Sequence, residues 1–290
     1  MTLQDVLAGA TARLEAAQLA YGHGTTNARD EAIWLVLWRL GLPLDADLDE
    51  MAELPVSEDD ALRVAELIGR RIESRQPAAY LTHEAWLQGV PFYVDERAIV
   101  PRSFIAELIA EGGFDAWLSD GTRQVLDLCT GNGSLAVLAA MAWPEVQVTG
   151  ADLSPQALDV ARINVERHGL QDRITLIESD GLSNCPGPWD LVLCNPPYVN
   201  ARSMAALPAE YRAEPVLALA GGADGMDFVR ALLRDLPSRL SPHGILVLEI
   251  GNERAFFEAA FPQLEAVWLS TSAGDDQVLL LTADALRALP

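Results

Sequence analysis

The sequence predicts an α/β fold, with a mostly parallel, doubly wound sheet that follows a small N-terminal helical domain and a β-hairpin linker. From Arg123 onward, short apolar segments alternate with stretches of helical periodicity, which is the pattern of a doubly wound sheet. Residues 1–84 instead carry apolar side chains mainly at helical spacing. Residues 85–103 mix strand-forming residues with a glycine turn, so we expect a hairpin linker there and the larger domain over 104–290.

Three helices are expected in the N-terminal domain. The first contains Val6, Ala10 and Leu14 on one face. The second covers 28–40 and is expected to end at Gly41, because glycine is favoured just after a helix. The third covers 57–74 and opens with an imperfect capping box. The tryptophans of the second helix, Trp34 and Trp38, fit a core better than a recognition surface.

Seven strands are expected after the linker. Five apolar segments are separated by helical stretches, which favours parallel pairing. The last two have no helix between them, so we expect antiparallel strands at one edge of the sheet. The expected strands are 124–129, 146–152, 174–178, 191–194, 245–250, 265–269 and 277–281.

The composition is that of a globular protein with a sizeable core. Half of the 290 residues are hydrophobic and 21% are charged. No apolar run approaches the roughly 18 residues that a membrane helix needs, and no secretory signal pattern opens the chain. Three cysteines and four histidines show neither metal-ligand nor disulfide spacing. We therefore expect a cytoplasmic protein with no metal site and no membrane association.

The net charge of −22 argues against duplex nucleic acid as the main partner, because such a surface repels phosphate backbones. A basic protein partner would instead be steered toward this chain. Acidity that serves only solubility, or that reflects the composition of the source proteome, is the alternative explanation.

The tetrapeptide Asn195-Pro196-Pro197-Tyr198 follows an apolar segment that is predicted to be a buried strand. Each proline fixes φ and removes a donor, and the first also keeps Asn195 out of the helical region. The result is a carboxamide on a stiff backbone with an aromatic ring three residues away, which suits the binding of a planar amide or amino group. Taken alone, the tetrapeptide could equally be a turn that ends a strand.

A nucleotide-type site is predicted at the ends of the first three strands. Asp127 lies near the end of the first strand, and Gly131 and Gly133 follow in a loop that lets a ligand approach the backbone and the next helix N-terminus. Asp152 closes the second strand about 20 residues on, where a carboxylate can accept ribose hydroxyls. Asp180 follows the third strand, in a position to meet an adenine edge or only to cap the strand end.

A nicotinamide oxidoreductase is the competing interpretation of this loop, since Gly131-x-Gly133-x-x-Ala136 matches the dinucleotide pattern. Two features oppose it. Asp127 beside the loop is awkward for a pyrophosphate and suited to an ammonium group. The chain also has no obvious acid for hydride transfer, whereas the fourth strand leads into Asn195-Pro196-Pro197-Tyr198.

Over nearly its whole length the chain resembles class I S-adenosylmethionine-dependent methyltransferases of the HemK/PrmC-like protein-glutamine N5 type, and more closely the PrmB branch, which acts on ribosomal protein L-three. An Asp-Glu-Arg before Val-Pro-Arg-Ser resembles that branch, whereas the release-factor branch usually continues Pro-Arg-Pro. Cys129 stands where many methyltransferases have glycine, but this branch shares it. Besides the tetrapeptide, the motifs are 80–82, 92–97, 100–103, 126–131 and 207–215.

The resemblance implies a Rossmann-like, mostly parallel sheet of seven strands, a substrate-recognising N-terminal domain and a role for each site residue. The Asn195 carboxamide oxygen and the Pro196 carbonyl would accept the hydrogens of a glutamine amide, with Pro197 and Tyr198 completing the substrate site. The cofactor S-adenosylmethionine, converted to S-adenosylhomocysteine, would be bound by the residues of the first three strand ends. These are Asp127 at the ammonium group, Cys129, Thr130, Gly131 and Gly133 along the backbone, Asp152 at the ribose and Asp180 at the adenine.

Other functions stay open at this stage. A release factor is the alternative substrate, and adenine-N6 DNA methyltransferases share the tetrapeptide but need a basic groove for a flipped base. A catalytically idle binding protein that keeps the fold is a third possibility. Residues 210–214 are interpreted as a lid or a solvated turn, and Arg102 as a structural salt bridge or as a residue that holds the hairpin junction near the site. The expected partner is a basic ribosomal protein, met before or during ribosome assembly.

Overall fold

The computed structural model describes residues 1–288, which divide into two compact units. The first unit contains Met1–Ala85 and the short segment Pro208–Ala213. The second contains Trp86–Leu207 and residues 214–288. Within residues 1–288, every helix is too short or too polar to span a lipid bilayer.

Four helices form the first unit, and side chains cap the first three. Thr2 makes a capping box with Asp5, and Asn27 and Ser57 each accept a backbone N–H of the following first turn. The apolar faces pack into one core, against which both Trp34 and Trp38 lie partly buried, as the sequence predicts. The helices are α1 Leu3–Ala16, α2 Ala28–Leu40, α3 Glu58–Ser74 and α4 Ala78–Thr82.

The segment Pro208–Ala213 is held in the first unit by buried charge. Glu210 is 1% exposed and accepts a hydrogen bond of 3.0 Å from Arg75 Nη1. The Tyr211 hydroxyl donates to the carbonyl of Tyr21 at 3.4 Å. Because the Glu210 carboxylate is buried, the interpretation of this stretch as a solvated turn is wrong. The hydrogen bonds that the carboxylate accepts compensate for its lost hydration.

A hairpin, a further helix and a seven-stranded sheet follow. The hairpin strands are β1 Ala85–Leu87 and β2 Val90–Phe92, joined by Gln88 and Gly89, both with positive φ as a type I′ turn requires. The sheet strands are β3 Gln124–Leu128, β4 Gln147–Asp152, β5 Ile174–Glu178, β6 Trp189–Cys194, β7 Leu240–Glu249, β8 Val267–Thr271 and β9 Gly274–Thr282.

The strand order is β5-β4-β3-β6-β7-β9-β8. The first five strands are parallel, whereas β9 is antiparallel to both β7 and β8, which confirms the predicted fold class and the antiparallel edge. β7 begins five residues earlier than predicted, because Leu240 pairs with Trp189 across a register shift. The polar stretch after Leu240 hides this extension from an apolar pattern.

Helices cover both faces of the sheet. Side chains alternate along β3, so that Val125 and Leu126 belong to two different buried clusters, one on each face. Burial on both faces explains why these strands are continuous apolar runs. The helices are α5 Phe104–Glu111, α6 Ser134–Ala142, α7 Pro155–Arg167, α8 Ala201–Ala206, α9 Asp227–Asp235, α10 Arg254–Ala260 and α11 Ala283–Arg287.

Candidate active site

The predicted site residues converge at the carboxyl edge of the parallel strands. Leu128 of β3 lies opposite Ala151 of β4 on one side and Cys194 of β6 on the other. The chain runs from β3 outward through β4 and β5 and then returns to β6, so the strand order reverses between β3 and β6. Ligands of open α/β sheets bind at such a reversal. The glycine loop and the Asn195 tetrapeptide both begin there.

The loop between β3 and α6 adopts a backbone that needs its glycines. Gly131 and Gly133 have φ of 55° and 80°, and Cys129 also has a positive φ of 63°. A Cβ on Gly133 would lie 3.1 Å from Ala161 Cβ of α7. Glycine at this position therefore allows the loop to pass close to α7 just before α6 begins.

Asp127 is 1% exposed, and its Oδ2 accepts hydrogen bonds from this loop and from the start of α6. Oδ2 accepts the hydroxyl of Thr130 and the backbone N–H of Ala136 at 2.9 Å. Its other oxygen, Oδ1, is buried and has no hydrogen-bond partner within residues 1–288. Burial raises the pKa of Asp127 to about 7, although the donors from Thr130 and Ala136 oppose that shift.

Asp152 fixes the same loop from β4. Its Oδ2 accepts the Gly131 N–H at 2.9 Å, and its Oδ1 accepts the Ser154 N–H at 2.8 Å. Burial raises the pKa of Asp152, and these backbone donors partly offset the rise. Each oxygen keeps a second lone pair, so the carboxylate can still accept ligand hydroxyls.

Asn164 of α7 joins the loop to the segment after the hairpin and was missed in the sequence. The residue is 0% exposed. Its amide donates to the carbonyls of Tyr93 and Asn132 at 2.9 and 2.8 Å, while its Oδ1 accepts the Tyr93 N–H at 2.7 Å. An asparagine on the otherwise apolar face of α7 is the only sequence signal that could have identified it.

The loop that begins at Asn195 is fixed by close backbone packing. Asn195 is half-buried, Pro196 is buried, and Val199 exchanges two backbone hydrogen bonds with the 219–221 segment. A Cβ on Gly225 would contact the Tyr198 carbonyl oxygen, and one on Gly251 would lie 2.5 Å from Tyr198 Cε2. The Tyr198 ring therefore lies directly against the backbone that follows β7.

Glu249, at the end of β7, is a second residue that was missed. It is 2% exposed and accepts the Tyr198 hydroxyl at 3.3 Å, the Ser103 hydroxyl at 2.6 Å and the Phe104 N–H at 2.9 Å. A glutamate inside the apolar run 245–250 is the sequence signal, because an isolated carboxylate rarely lies in a buried strand without donors.

Arg102 and Asp180 are two further residues that the sequence singles out. Arg102 forms a bidentate salt bridge with Glu214, with distances of 2.6 and 2.7 Å, as its structural interpretation predicts. Asp180 is exposed and follows β5 at the same edge of the sheet, two residues after Glu178. Its position is compatible with both the ligand and the strand-end interpretation.

The β3 loop fits S-adenosylmethionine. Asp127 Oδ1 and Asn132 Nδ2 are buried polar atoms that have no hydrogen-bond partner within residues 1–288. Natural proteins seldom leave such atoms unpaired, so a polar ligand is a natural partner for them. A carboxylate suits an ammonium group, and a loop with little side-chain volume suits a ligand that lies against backbone.

Comparison with known proteins agrees with this geometry. The family model "Methyltransferase small domain" matches residues 115–210. The catalytic domain of hMettl16, in complex with MAT2A 3'UTR hairpin 6, has the same fold, with a TM-score of 0.52 and 14% identity over 78% of this chain and 81% of that one.

Relatives with high identity cover almost the whole chain. The ribosomal protein uL3 glutamine methyltransferase of Bordetella pertussis is 54% identical over 99% of this chain and 96% of its own length. The protein of the same name from Burkholderia pseudomallei is 50% identical over 99% and 96%. That from Bradyrhizobium diazoefficiens is 43% identical over 98% and 91%. Identity at this level over full length means that the chain belongs to the family of ribosomal protein uL3 glutamine methyltransferases.

Proposed function

We propose that this methyltransferase transfers a methyl group from S-adenosylmethionine to the side-chain amide nitrogen of a glutamine in ribosomal protein uL3. The observation that carries the proposal is the Asn195–Tyr198 tetrapeptide, which opens beside the glycine loop at the reversal of strand order. The names of the relatives supply the substrate.

The residues of the tetrapeptide bind and orient the substrate amide. A glutamine amide is a poor nucleophile, because its nitrogen lone pair is delocalised into the carbonyl. The Asn195 carboxamide oxygen and the Pro196 carbonyl oxygen accept hydrogen bonds from the two N–H groups of the glutamine amide. These bonds orient the amide nitrogen and stabilise the positive charge that develops on it. Pro197 stiffens this backbone, and the Tyr198 ring packs on the amide plane. S-adenosylmethionine, when bound, supplies an electrophilic methyl group.

The β3 loop and the neighbouring strand ends bind the cofactor. Asp127 Oδ1 accepts the ammonium group, and Asp152 accepts the ribose hydroxyls while it continues to hold Gly131. Cys129, Thr130, Gly131 and Gly133 line the cofactor along the loop backbone, and Asp180 lies on the adenine side. The unpaired Oδ1 of Asp127 supports the first assignment, and the free lone pairs of Asp152 support the second.

The substrate is a basic protein rather than a duplex nucleic acid. The net charge of −22 favours encounter with a basic ribosomal protein, and it disfavours the basic groove that a DNA adenine methyltransferase needs. The N-terminal helical domain, residues 1–84, recognises this substrate, and residues 85–103 link it to the catalytic domain. We place the reaction before or during ribosome assembly, when the glutamine is accessible.

Asn195→Ala tests the role of the tetrapeptide. We expect methyl transfer to be lost while S-adenosylmethionine still binds, because the Asn195 side chain contacts the substrate amide and not the cofactor. Radiolabelled transfer to purified uL3, combined with calorimetry of cofactor binding, measures both quantities. Unchanged turnover would refute the role of Asn195.

Mass spectrometry of a strain that lacks this gene tests the substrate. We expect one glutamine of uL3 to lose its methyl group and the release factors to keep theirs. Loss from a release factor instead would assign the chain to the release-factor type of the same reaction.

A further inference from the structure

The two carboxylate oxygens of Glu249 have different partners. Oε2 accepts the Ser103 hydroxyl and the Phe104 N–H, at 2.6 and 2.9 Å. Oε1 accepts the Tyr198 hydroxyl at 3.3 Å. With only 2% of the residue exposed, donors have to replace the lost hydration, and Tyr198 is the one that belongs to the tetrapeptide.

The contacts of Oε2 have a structural explanation. Ser103 is the N-cap of α5, and its Oγ accepts the Ile105 N–H at 3.2 Å. A carboxylate at this helix N-terminus satisfies free donors and interacts favourably with the helix dipole. These contacts explain why a buried acid can lie at the end of β7, but they do not require a bond to Tyr198.

The contact of Oε1 fixes the outer end of the Tyr198 ring. Gly251 bounds one edge of the ring, and Gly221 and Gly225 lie against the Tyr198 backbone. Burial and the neighbouring carboxylate both raise the pKa of the Tyr198 hydroxyl, so it stays protonated and donates. Backbone packing at Gly251 sets the plane of the ring, and the hydrogen bond at the hydroxyl holds its long axis, so the ring has one defined position.

We propose that Glu249 is a positioning residue for methyl transfer, which orients the ring of Tyr198 through Oε1. The inference rests on the proposed function, in which that ring packs on the substrate amide plane. A ring held in one position restricts the substrate nitrogen to an orientation suited to methyl transfer. Such restriction lowers the activation barrier of the transfer and leaves the affinity for the substrate unchanged.

Glu249→Gln separates the two oxygens. A glutamine keeps its oxygen toward Ser103 and Phe104, because two donors there would repel an amide NH₂ group. Its NH₂ then faces Tyr198, whose hydroxyl proton has to turn away. The variant therefore retains the α5 contact, and at Tyr198 it replaces the charged acceptor by a neutral NH₂ donor to the hydroxyl oxygen, which holds the ring more weakly.

The experiment is a double-mutant cycle in the full chain, with uL3 as substrate. We expect Glu249→Gln to lower kcat about tenfold, with KM for uL3 and for S-adenosylmethionine within about twofold. In a Tyr198→Phe background the same change should alter kcat by less than about twofold, because the hydroxyl is already gone. Tyr198→Phe alone should also lower kcat about tenfold, and this result does not depend on whether Glu249→Gln folds.

Ser103→Ala is the matched control, because it removes a donor to Oε2 and leaves Oε1 untouched. It should lower the melting temperature while kcat changes by less than about twofold. An undiminished loss of kcat for Glu249→Gln in the Tyr198→Phe background, or an unchanged kcat for Tyr198→Phe, would overturn the inference. Failure of the wild-type protein to methylate uL3 would instead contradict the proposed function, so the two failures are distinguishable.

Discussion

The guanidinium of Arg102 donates to both oxygens of Glu214, at 2.6 and 2.7 Å, across 112 residues of sequence. The Glu214 side chain has no exposed surface, and its Oε1 also accepts the Val100 N–H at 3.0 Å. This pair holds the segment before α5 against the chain that returns after residue 213, and both segments belong to the second unit.

Arg102→Ala should destabilise the protein by about 3 kcal/mol, because it leaves a buried carboxylate without its main counter-charge. Chemical denaturation measures the loss. The double variant Arg102→Ala with Glu214→Gln is the control, and it should recover part of the stability since no uncompensated charge remains. A single variant as stable as the wild type would show that the pair contributes nothing.

Gly133→Ala should cost clearly more stability than Gly169→Ala. Both glycines have positive φ, at 80° and 66°, so both substitutions carry a backbone cost of about 1–2 kcal/mol. Only at Gly133 would the new Cβ also contact a neighbour, at 3.1 Å from Ala161 Cβ, whereas nothing lies within 4 Å at Gly169. Urea denaturation of the two variants isolates the packing cost, and equal losses would contradict it.

Asn164→Leu should weaken S-adenosylmethionine binding at a distance from the ligand. The change removes three hydrogen bonds to Tyr93 and Asn132, so the loop loses one of its supports. We expect the free energy of unfolding to fall by about 2 kcal/mol. The dissociation constant for S-adenosylmethionine, measured by calorimetry, should rise severalfold.

Asn27→Ala is the matched control for that variant. Asn27 caps α2 in the first unit, so its loss should cost about 1 kcal/mol of stability and leave cofactor affinity unchanged. If both variants bind the cofactor like the wild type, Asn164 does not position the loop.

Asp152→Ala should lose cofactor affinity as well as stability. Asp190 offers a matched comparison at the opposite end of the sheet, since its Oδ2 accepts the N–H groups of Arg123 and Gln124 at 2.9 and 3.0 Å. Asp190→Ala should therefore lose similar stability, about 1–3 kcal/mol, without a change in affinity. Calorimetry that finds equal affinity in both variants would refute the ribose assignment.

The stability of the ligand-free protein should fall as pH rises through the range in which Asp127 titrates. Burial raises the folded-state pKa of Asp127 to about 7, and the unfolded pKa is about 3.9. Between these values the folded state holds a proton that the unfolded state has released, so the free energy of unfolding decreases with pH.

Asp127→Asn should remove this pH-dependent contribution to the free energy of unfolding, while the asparagine oxygen remains an acceptor for Thr130 and Ala136. Relative to the wild type, the variant should gain about 2 kcal/mol between pH 5 and pH 8. Denaturation of both proteins at the two pH values measures the change. A constant difference between them would mean that Asp127 does not titrate as the structure indicates.

Patterns that are local in sequence predicted much of this protein. The alternation of apolar and helical segments gave the sheet, and the missing helix before 277–281 gave its antiparallel edge. Parallel strands bring their carboxyl ends to one edge, so the approximate location of Asp127, Asp152 and Asn195 followed from their positions at the ends of predicted strands. The extension of β7 to Leu240 could not be predicted in this way, because the segment that pairs with Trp189 has no apolar pattern in the sequence.

Local patterns were enough to predict the fold class, the glycine loop and the tetrapeptide, since each depends on backbone preferences and spacings within a few residues. Only the tertiary structure identified the partners of the buried polar groups. Glu249 meets Ser103 across 146 residues and Asn164 meets Tyr93 across 71. A buried carboxylate or amide is stable only beside its donors and acceptors, and the folded chain decides which distant residues supply them.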